Sequence, residues 1–248
     1  MKHILLLLLL LFIVTTNLFS QATGEIIYGV KLNLTIDEIN EKAKKMNKKY
    51  LNKGLIRSIK RMVENSAEVE GILSFSNRVA NYKAIEELDN ERIYGSGASI
   101  LEGSSGGDTL YFTSLVSQKN KENDCETLDE CYVIENEKPI WQLTQETKKI
   151  GGYLCYKAIR TNSEFINFNP VAWYTNEIPL GYGPLDYYGL PGLILELELT
   201  AVTFKVKKIT LNPKNKIKIK ALKGKEITKK EYDKLLRKTF PDFYNYKK

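Results

Sequence analysis

The sequence predicts a β-rich α+β fold: a curved antiparallel sheet, a half-barrel-like meander, with a long helix after the first strand and a C-terminal helix. Short segments of β-branched and aromatic residues are separated by polar turns at hairpin-like spacing, which favours a meander over βαβ units. Two Thr-x-x-Glu capping boxes, at Thr35 and Thr228, each precede apolar residues spaced three and four apart, which indicates two helices.

The first strand is predicted from Gly24 to Leu34, and the first helix from Thr35 to about Asn65. Nine basic residues and no acidic one lie between Lys42 and Arg61. A basic amphipathic helix can lie on an anionic membrane. We favour the alternative, a helix that covers the sheet and turns its lysines to water, because its apolar stripe contains no Trp or Phe.

The middle of the chain alternates between predicted strands and turns. Four serines and five glycines between Gly95 and Gly107 predict a flexible loop, and their spacing does not match a phosphate-binding loop. Further strands are expected at Val69–Val79, Asp108–Ser117, Cys131–Glu135, Ile140–Thr144 and Tyr153–Thr161.

In the last third of the chain, the sequence predicts a turn followed directly by a strand. We expect Pro191 and Gly192 to occupy a type II turn, in which the glycine takes a positive φ. Leu193 to Leu199 alternates leucine with other residues and predicts a strand with a buried face. Lys-rich strands are expected at Val202–Leu211 and Lys214–Leu222, where outward lysines would protect a sheet edge.

The N-terminus resembles a signal peptide. A short charged start is followed by an apolar run from Ile4 to Val14, which is short for a membrane span, and Ser20-Gln21 is the expected cleavage point. We therefore predict a signal peptide at 1–20 and a single domain at 21–248, exported to the periplasm, the outer-membrane surface or the medium. The alternative is an uncleaved anchor. Removal of the leader would remove His3, the only histidine, which excludes Ser-His-Asp catalysis and histidine-ligated metals.

The three cysteines suit an oxidising compartment. Cys125 and Cys131 lie six positions apart in a polar loop and are predicted to form a disulfide. Cys155 lies in an apolar run and is expected to be a buried thiol, although a bridge from it to either of the others stays open. These ligands are too few for a zinc site, so we predict no metal and no cofactor.

Aromatic residues and rigid turns concentrate between Val171 and Gly192. The candidate binding residues there are Trp173, Tyr174, Tyr182, Tyr187 and Tyr188. Such rings could form a groove for a carbohydrate or a peptide, and the alternative is that they pack on the sheet. Glu177 and Asp186 lie nine positions apart and could form an acid–base pair, so the second hypothesis is a secreted hydrolase or hydrolase accessory module.

Charge is distributed unevenly along the chain. From Lys205 onward there are 16 basic and 4 acidic residues, whereas Glu86 to Glu137 holds 13 acidic and 3 basic residues. Export argues against nucleic acid as the partner of the basic region, and its strands lack the interleaved aromatics of a single-strand binding platform. Attraction to an anionic polysaccharide or lipid fits better, with solubility and edge protection as the simplest interpretation.

Several stretches resemble the bacterial GLPGLI family. They are Gly24–Tyr28, Leu73–Phe75, Ile140–Trp141, Ile150–Ala158, Val171–Thr175, Ile178–Pro179, Gly183–Pro184 and the motif Gly189-Leu190-Pro191-Gly192-Leu193-Ile194. The resemblance implies an exported cell-envelope protein with no established activity and no catalytic residues to transfer. Its members are often encoded near outer-membrane receptors, so we expect a non-enzymatic binding protein linked to outer-membrane uptake or surface assembly. Its expected partner is an outer-membrane or surface protein, or a polysaccharide.

Overall fold

The computed structural model describes residues 22–33, 53–85, 97–163 and 169–242. Within these ranges twelve strands form one sheet, accompanied by three helices. The helices are α1 (Lys53–Asn65), α2 (Gly97–Ser105) and α3 (Lys229–Thr239). The strands are β1 (Gly24–Leu32), β2 (Val69–Ser76), β3 (Val79–Ala84), β4 (Tyr111–Ser114), β5 (Lys119–Asp124), β6 (Tyr132–Glu135), β7 (Trp141–Ile150), β8 (Tyr153–Arg160), β9 (Val171–Thr175), β10 (Leu193–Glu198), β11 (Val202–Leu211) and β12 (Lys225–Thr228). This confirms the β-rich α+β fold.

The sheet consists of two meanders on either side of β1. Its order is β12-β6-β5-β4-β3-β2-β1-β11-β10-β9-β8-β7. All neighbouring strands are antiparallel except β12 and β6, which run parallel. The first strand of the chain therefore lies near the middle of the sheet, with one edge formed by β12 and the other by β7.

The link between β6 and β7 requires the sheet to curve strongly. In a flat sheet these two strands, second and twelfth in the order, would lie about 48 Å apart, at about 4.8 Å per strand. Only residues 136–140 join them, and such a link spans about 20 Å at most. The two ends of the sheet must therefore approach one another, as the predicted curved meander requires.

The core fills the concave face of this curve. Tyr28, Phe75, Tyr82 and Phe204 are among its largest fully buried side chains. Helix α2 packs into the same space through Leu101, which is 1% exposed. The prediction of a flexible loop was wrong for Gly97–Ser105, because burial of Leu101 outweighs the poor helix propensity of the surrounding glycines and serines. Gly95 and Ser96 lie outside the described residues.

One further sequence prediction is corrected near the centre of the sheet. The strand predicted over Val69–Val79 is broken by a hairpin turn at Asn77 and Arg78, whose φ angles are 52° and 65°. These left-handed residues reverse the chain between β2 and β3, and asparagine tolerates that conformation better than most residues. The amino-terminal part of the predicted long helix, including its capping box at Thr35, lies outside the described residues. Helix α1 agrees with the predicted end of that helix at about Asn65.

The basic strands are not the sheet edge that their lysines suggested. Strand β11 lies between β1 and β10. Residues 214–222 form no strand; they connect β11 to β12, and the backbone of Lys220 bonds to Asn81 of β3 on the way. Lys205 of β11 instead pairs with Glu196 of the neighbouring β10. Lys207 pairs with Glu68 and with Glu70 of β2, which lies on the far side of β1. These two lysines therefore have carboxylate partners, and β11 does not form an edge.

The C-terminal helix and the disulfide agree with the predictions. The Thr228 side chain accepts a hydrogen bond from the Glu231 amide, and the Thr228 amide donates one to the Glu231 carboxylate, which completes the capping box of α3. Cys125 and Cys131 form a disulfide, and Cys155 is a buried free thiol. In the described part of the chain, no helix combines the length and the hydrophobicity needed to cross a membrane.

Candidate functional site

The aromatic loop, residues 176–192, connects β9 to β10 and folds back onto the start of β10. The Leu193 amide donates to the Ile178 carbonyl at 2.9 Å, and the Ile194 amide donates to the Tyr182 carbonyl at 3.0 Å. Within the loop, the Gly189 amide donates to the Gly181 carbonyl at 2.9 Å. These backbone bonds fix an irregular segment in one conformation against the sheet.

The glycines of the Gly189–Ile194 motif have different roles from those predicted. The positive φ belongs to Gly189, at 88°, and not to Gly192. A Cβ atom on Gly192 would lie 1.8 Å from the Thr175 carbonyl oxygen, so this position needs glycine for close backbone approach. The motif's Leu190, Leu193 and Ile194 are at most 4% exposed. The motif is thus a packing and turn element.

All five rings of the predicted binding surface are buried. The exposed fractions of these residues are Trp173 9%, Tyr174 5%, Tyr182 1%, Tyr187 3% and Tyr188 1%. Tyr182 stacks on Phe75 with ring centroids 5.6 Å apart. Their role in binding stays a prediction, and their burial counts against direct contact between these rings and a partner.

Arg160 and Asp186 form an ion pair beneath the loop. The Arg160 guanidinium donates to Asp186 Oδ2 at 2.7 Å, and it lies over the Tyr187 ring at 5.1 Å from the centroid. Burial raises the pKa of Tyr187, and the nearby Asp186 raises it further. Sequence reasoning missed Arg160, although an arginine ending the apolar run of β8 was the signal that could have identified a buried ion pair.

The loop also joins the two ends of the curved sheet. At one end, the Trp141 indole of β7 donates to the Tyr188 carbonyl at 2.8 Å. At the other end, Asn120 of β5 donates to the Leu185 carbonyl at 3.1 Å, and the Tyr188 hydroxyl donates to the Gln118 carbonyl at 2.7 Å. Burial raises the pKa of the Tyr188 hydroxyl to about 12, so this donor stays protonated at neutral pH.

The structure does not bring Glu177 and Asp186 together. Glu177 accepts a hydrogen bond from the Leu154 amide at 2.9 Å, at the start of β8. Asp186 is held by Arg160, the last residue of the same strand. Six residues separate these two anchor positions, which corresponds to about 20 Å along an extended strand. Each carboxylate thus has its own structural partner, at opposite ends of β8.

Trp173 belongs to a charged cluster on the strands that flank the loop. Its indole donates to Glu198 Oε1 at 2.9 Å, and the Lys148 ammonium lies 4.1 Å from the ring centroid. Lys148 also binds Glu196, which is 8% exposed and lies 3.5 Å from the ammonium of Lys205. These lysines neutralise an otherwise costly buried carboxylate.

Two pockets lie away from the aromatic loop. One of about 310 Å³ lies beside the disulfide, between residues 103–109 and 123–127. Another of about 300 Å³ is lined by Glu137 and the polar face of α3. The described residues contain no cluster of three or more potential metal ligands. Burial raises the pKa of Cys155 to about 11, so this thiol is protonated and a poor nucleophile.

Comparisons with known proteins place the aromatic loop in a recognised segment. A family model described as a protein of unknown function (Porph_ging) matches residues 161–196, which include β9, the loop and the start of β10. Two solved structures of PNGF-II, in space groups P21 and C2, align with 88% of this chain at 15% identity and TM-scores of 0.48 and 0.47. The chain spans about a third of their length, 34% and 33%. No curated protein matches the chain.

Proposed function

We propose that the protein is an exported, non-enzymatic binding protein of the cell envelope and a member of the GLPGLI family. The Cys125–Cys131 disulfide supports export, because disulfides persist in oxidising compartments. The close packing around Gly192 supports the family assignment, because it gives the motif a structural requirement that a chance match would lack.

One observation supports a binding role most strongly: both carboxylates within the aromatic loop are engaged in structural bonds. Asp186 neutralises Arg160, and Glu177 binds the Leu154 amide. A general acid or base must instead reach a substrate proton. Because the carboxylates of the loop are bonded within the protein, we look for the partner's contact on the exposed surface beside the loop.

We place the contact surface at the start of β7. Ile140 and Leu143 lie three positions apart in the chain and are 60% and 54% exposed, which is high for large apolar side chains. Trp141 lies between them and is fixed by its bond to the Tyr188 carbonyl of the loop. Because β7 is an edge strand of the described sheet, the outer side of its backbone can also pair with an extended partner segment. An outer-membrane or surface protein engaged in uptake or assembly is the proposed partner.

A pull-down from solubilised envelope tests this surface. We expect an Ile140→Glu, Leu143→Glu variant to lose a protein that the unmodified chain captures. The matched control is Val116→Glu, Leu211→Glu, which alters two apolar residues exposed by 69% and 45% elsewhere on the molecule. The control should retain capture, and both variants should keep the thermal midpoint of the unmodified protein. Equal capture by the two variants would exclude the start of β7 as the contact surface.

A further inference from the structure

The connection between β11 and β12 forms an exposed row of lysines on the outer face of the sheet. We call residues 213–223 the lysine strap. The strap contains five lysines, which are separated by residues that are mostly less exposed. All five lysines are exposed: Lys214, Lys216, Lys218, Lys220 and Lys223. We propose that the lysine strap is a binding surface for an anionic polysaccharide that bears carboxylate or sulfate groups.

Asn81 of β3 fixes the strap against the sheet. Its side chain accepts a hydrogen bond from the Lys220 amide at 2.6 Å and donates to the Lys220 carbonyl at 3.1 Å. The neighbouring Ala80 and Tyr82 face the core, so Asn81 lies on the opposite face of the sheet. Asn81 is nevertheless only 7% exposed, as expected for a residue covered by the strap.

Along the strap, exposed side chains alternate with half-buried ones. Ile217, Ile219 and Leu222 are half-buried, whereas the lysines between and beside them are exposed. In an extended chain, alternate residues point to the same side and lie about 6.6 Å apart. Lys216, Lys218 and Lys220 therefore form a linear row of positive charge, and its backbone is anchored at one end by Asn81.

Among the described residues, the strap lysines differ from many lysines of the sheet in that they form no ion pair. Lys31 and Lys207 pair with Glu68, Lys148 pairs with Glu196, and Lys121 pairs with Glu226. Within the described ranges, no strap lysine has a carboxylate oxygen within 4.0 Å of its ammonium. The sequence itself contains no acidic residue between Glu198 and Glu226. The strap's charge is consequently available to an external anion.

The shape and composition of the strap favour a linear polyanion over a membrane. A peripheral membrane site usually adds apolar or aromatic side chains that enter the lipid. Here the apolar side chains are the half-buried members of the row, and the strap contains no aromatic residue. The strap also contains lysine and no arginine, which suits diffuse attraction to many carboxylate or sulfate groups more than bidentate recognition of one.

This inference is independent of the protein partner proposed for β7, and it is tested with purified components. Binding to polygalacturonate and to heparin is measured by isothermal titration calorimetry at about 50 mM and about 200 mM NaCl, concentrations that change screening between exposed charges. We expect Lys216→Gln, Lys218→Gln, Lys220→Gln to weaken binding about tenfold at the lower salt, because each exposed ion pair contributes a factor of a few. Higher salt should weaken binding by the unmodified protein.

The control removes three charges elsewhere. Lys230→Gln, Lys234→Gln, Lys238→Gln changes exposed residues on one side of α3 and lowers the net charge equally. It should bind both polysaccharides within about twofold of the unmodified protein, because these lysines lie on α3 and not on the strap. Equal losses in the two triple variants would mean that net charge alone attracts the polyanion, and this would overturn the proposal. Binding to vesicles of anionic phospholipid without binding to either polysaccharide would also overturn it.

Discussion

Single residues of the aromatic loop are constrained by backbone contacts. Gly192 lies so close to the Thr175 carbonyl that any side chain would collide with main-chain atoms that have no room to move. Gly103, in contrast, lies in α2, and a Cβ atom there would meet no atom within 4 Å. Gly192 is therefore required by a tertiary contact, whereas Gly103 is not required by any neighbouring atom.

This contrast gives a stability prediction. Gly192→Ala should lower the free energy of unfolding by about 3 kcal/mol or more, because it forces the loop away from β9. Gly103→Ala should raise it by about 0.5–1 kcal/mol, because alanine favours the helix and reduces the entropy of the unfolded chain. Urea denaturation of both variants measures the two changes. A Gly192→Ala variant as stable as the unmodified protein would contradict the close approach.

At the scale of elements, Asp124 joins the disulfide turn to α3. Its Oδ2 accepts hydrogen bonds from the hydroxyls of Thr127 at 2.6 Å and Tyr232 at 2.7 Å, and its Oδ1 accepts one from the Glu126 amide at 3.0 Å. Burial acts to raise the pKa of Asp124, but these hydrogen bonds together lower it. The ring of Tyr232 packs on that of Tyr132, so the carboxylate also positions the helix.

The lowered pKa predicts how the contribution of Asp124 depends on pH. A carboxylate with a depressed pKa stabilises the folded state above the unfolded value, here 3.8, and that contribution disappears as the pH falls through the lower folded value. Asp124→Asn should cost about 1–2 kcal/mol at pH 7, because an amide nitrogen cannot accept from the two hydroxyls. The difference from the unmodified protein should shrink below about pH 4. Urea unfolding across this range measures it.

Asp129→Asn provides the matched control for this experiment. Asp129 lies in the same disulfide turn and is exposed. Its substitution should change the stability by less than about 0.5 kcal/mol at every pH. A pH-independent effect of Asp124→Asn would show that packing, rather than ionisation, accounts for its cost.

At the scale of the whole molecule, Asn120 of β5 joins one end of the curved sheet to the aromatic loop and to the link that leads to β7 at the other end. It is fully buried, and its amide donates to Thr113 of β4 and to the Leu185 carbonyl of the loop. Its carbonyl oxygen accepts from Asn136, in the link that joins β6 to β7. The side chain of Asn120 thus connects β5 to β4, to the aromatic loop and to the link between β6 and β7.

Removal of this junction should destabilise the whole molecule. Asn120→Ala should cost about 3 kcal/mol, because it leaves buried polar partners without bonds. Asn123→Ala on the same strand should cost about 1 kcal/mol, because Asn123 accepts one amide, that of Leu110, and lies nearer the surface. Native-state hydrogen exchange should show that Asn120→Ala weakens protection in β5 and β7 together. Loss confined to β5 would contradict a junction between the two ends.

The sequence determined the elements whose signals are local. Capping residues placed α3 at Thr228, short cysteine spacing identified the Cys125–Cys131 bridge, and alternating leucines identified β10, because each of these patterns acts between residues a few positions apart.

Only the tertiary structure decided what depends on distant partners. Burial of Leu101 favours a helix, α2, in a glycine- and serine-rich segment. The Lys-rich segment 214–222 forms no strand, and Asn81 binds its backbone at Lys220. The separation of Glu177 from Asp186 and the partnership of Asp186 with Arg160 likewise follow from how β8 lies beside the loop. Such contacts join residues that are far apart in the chain, so no local pattern records them.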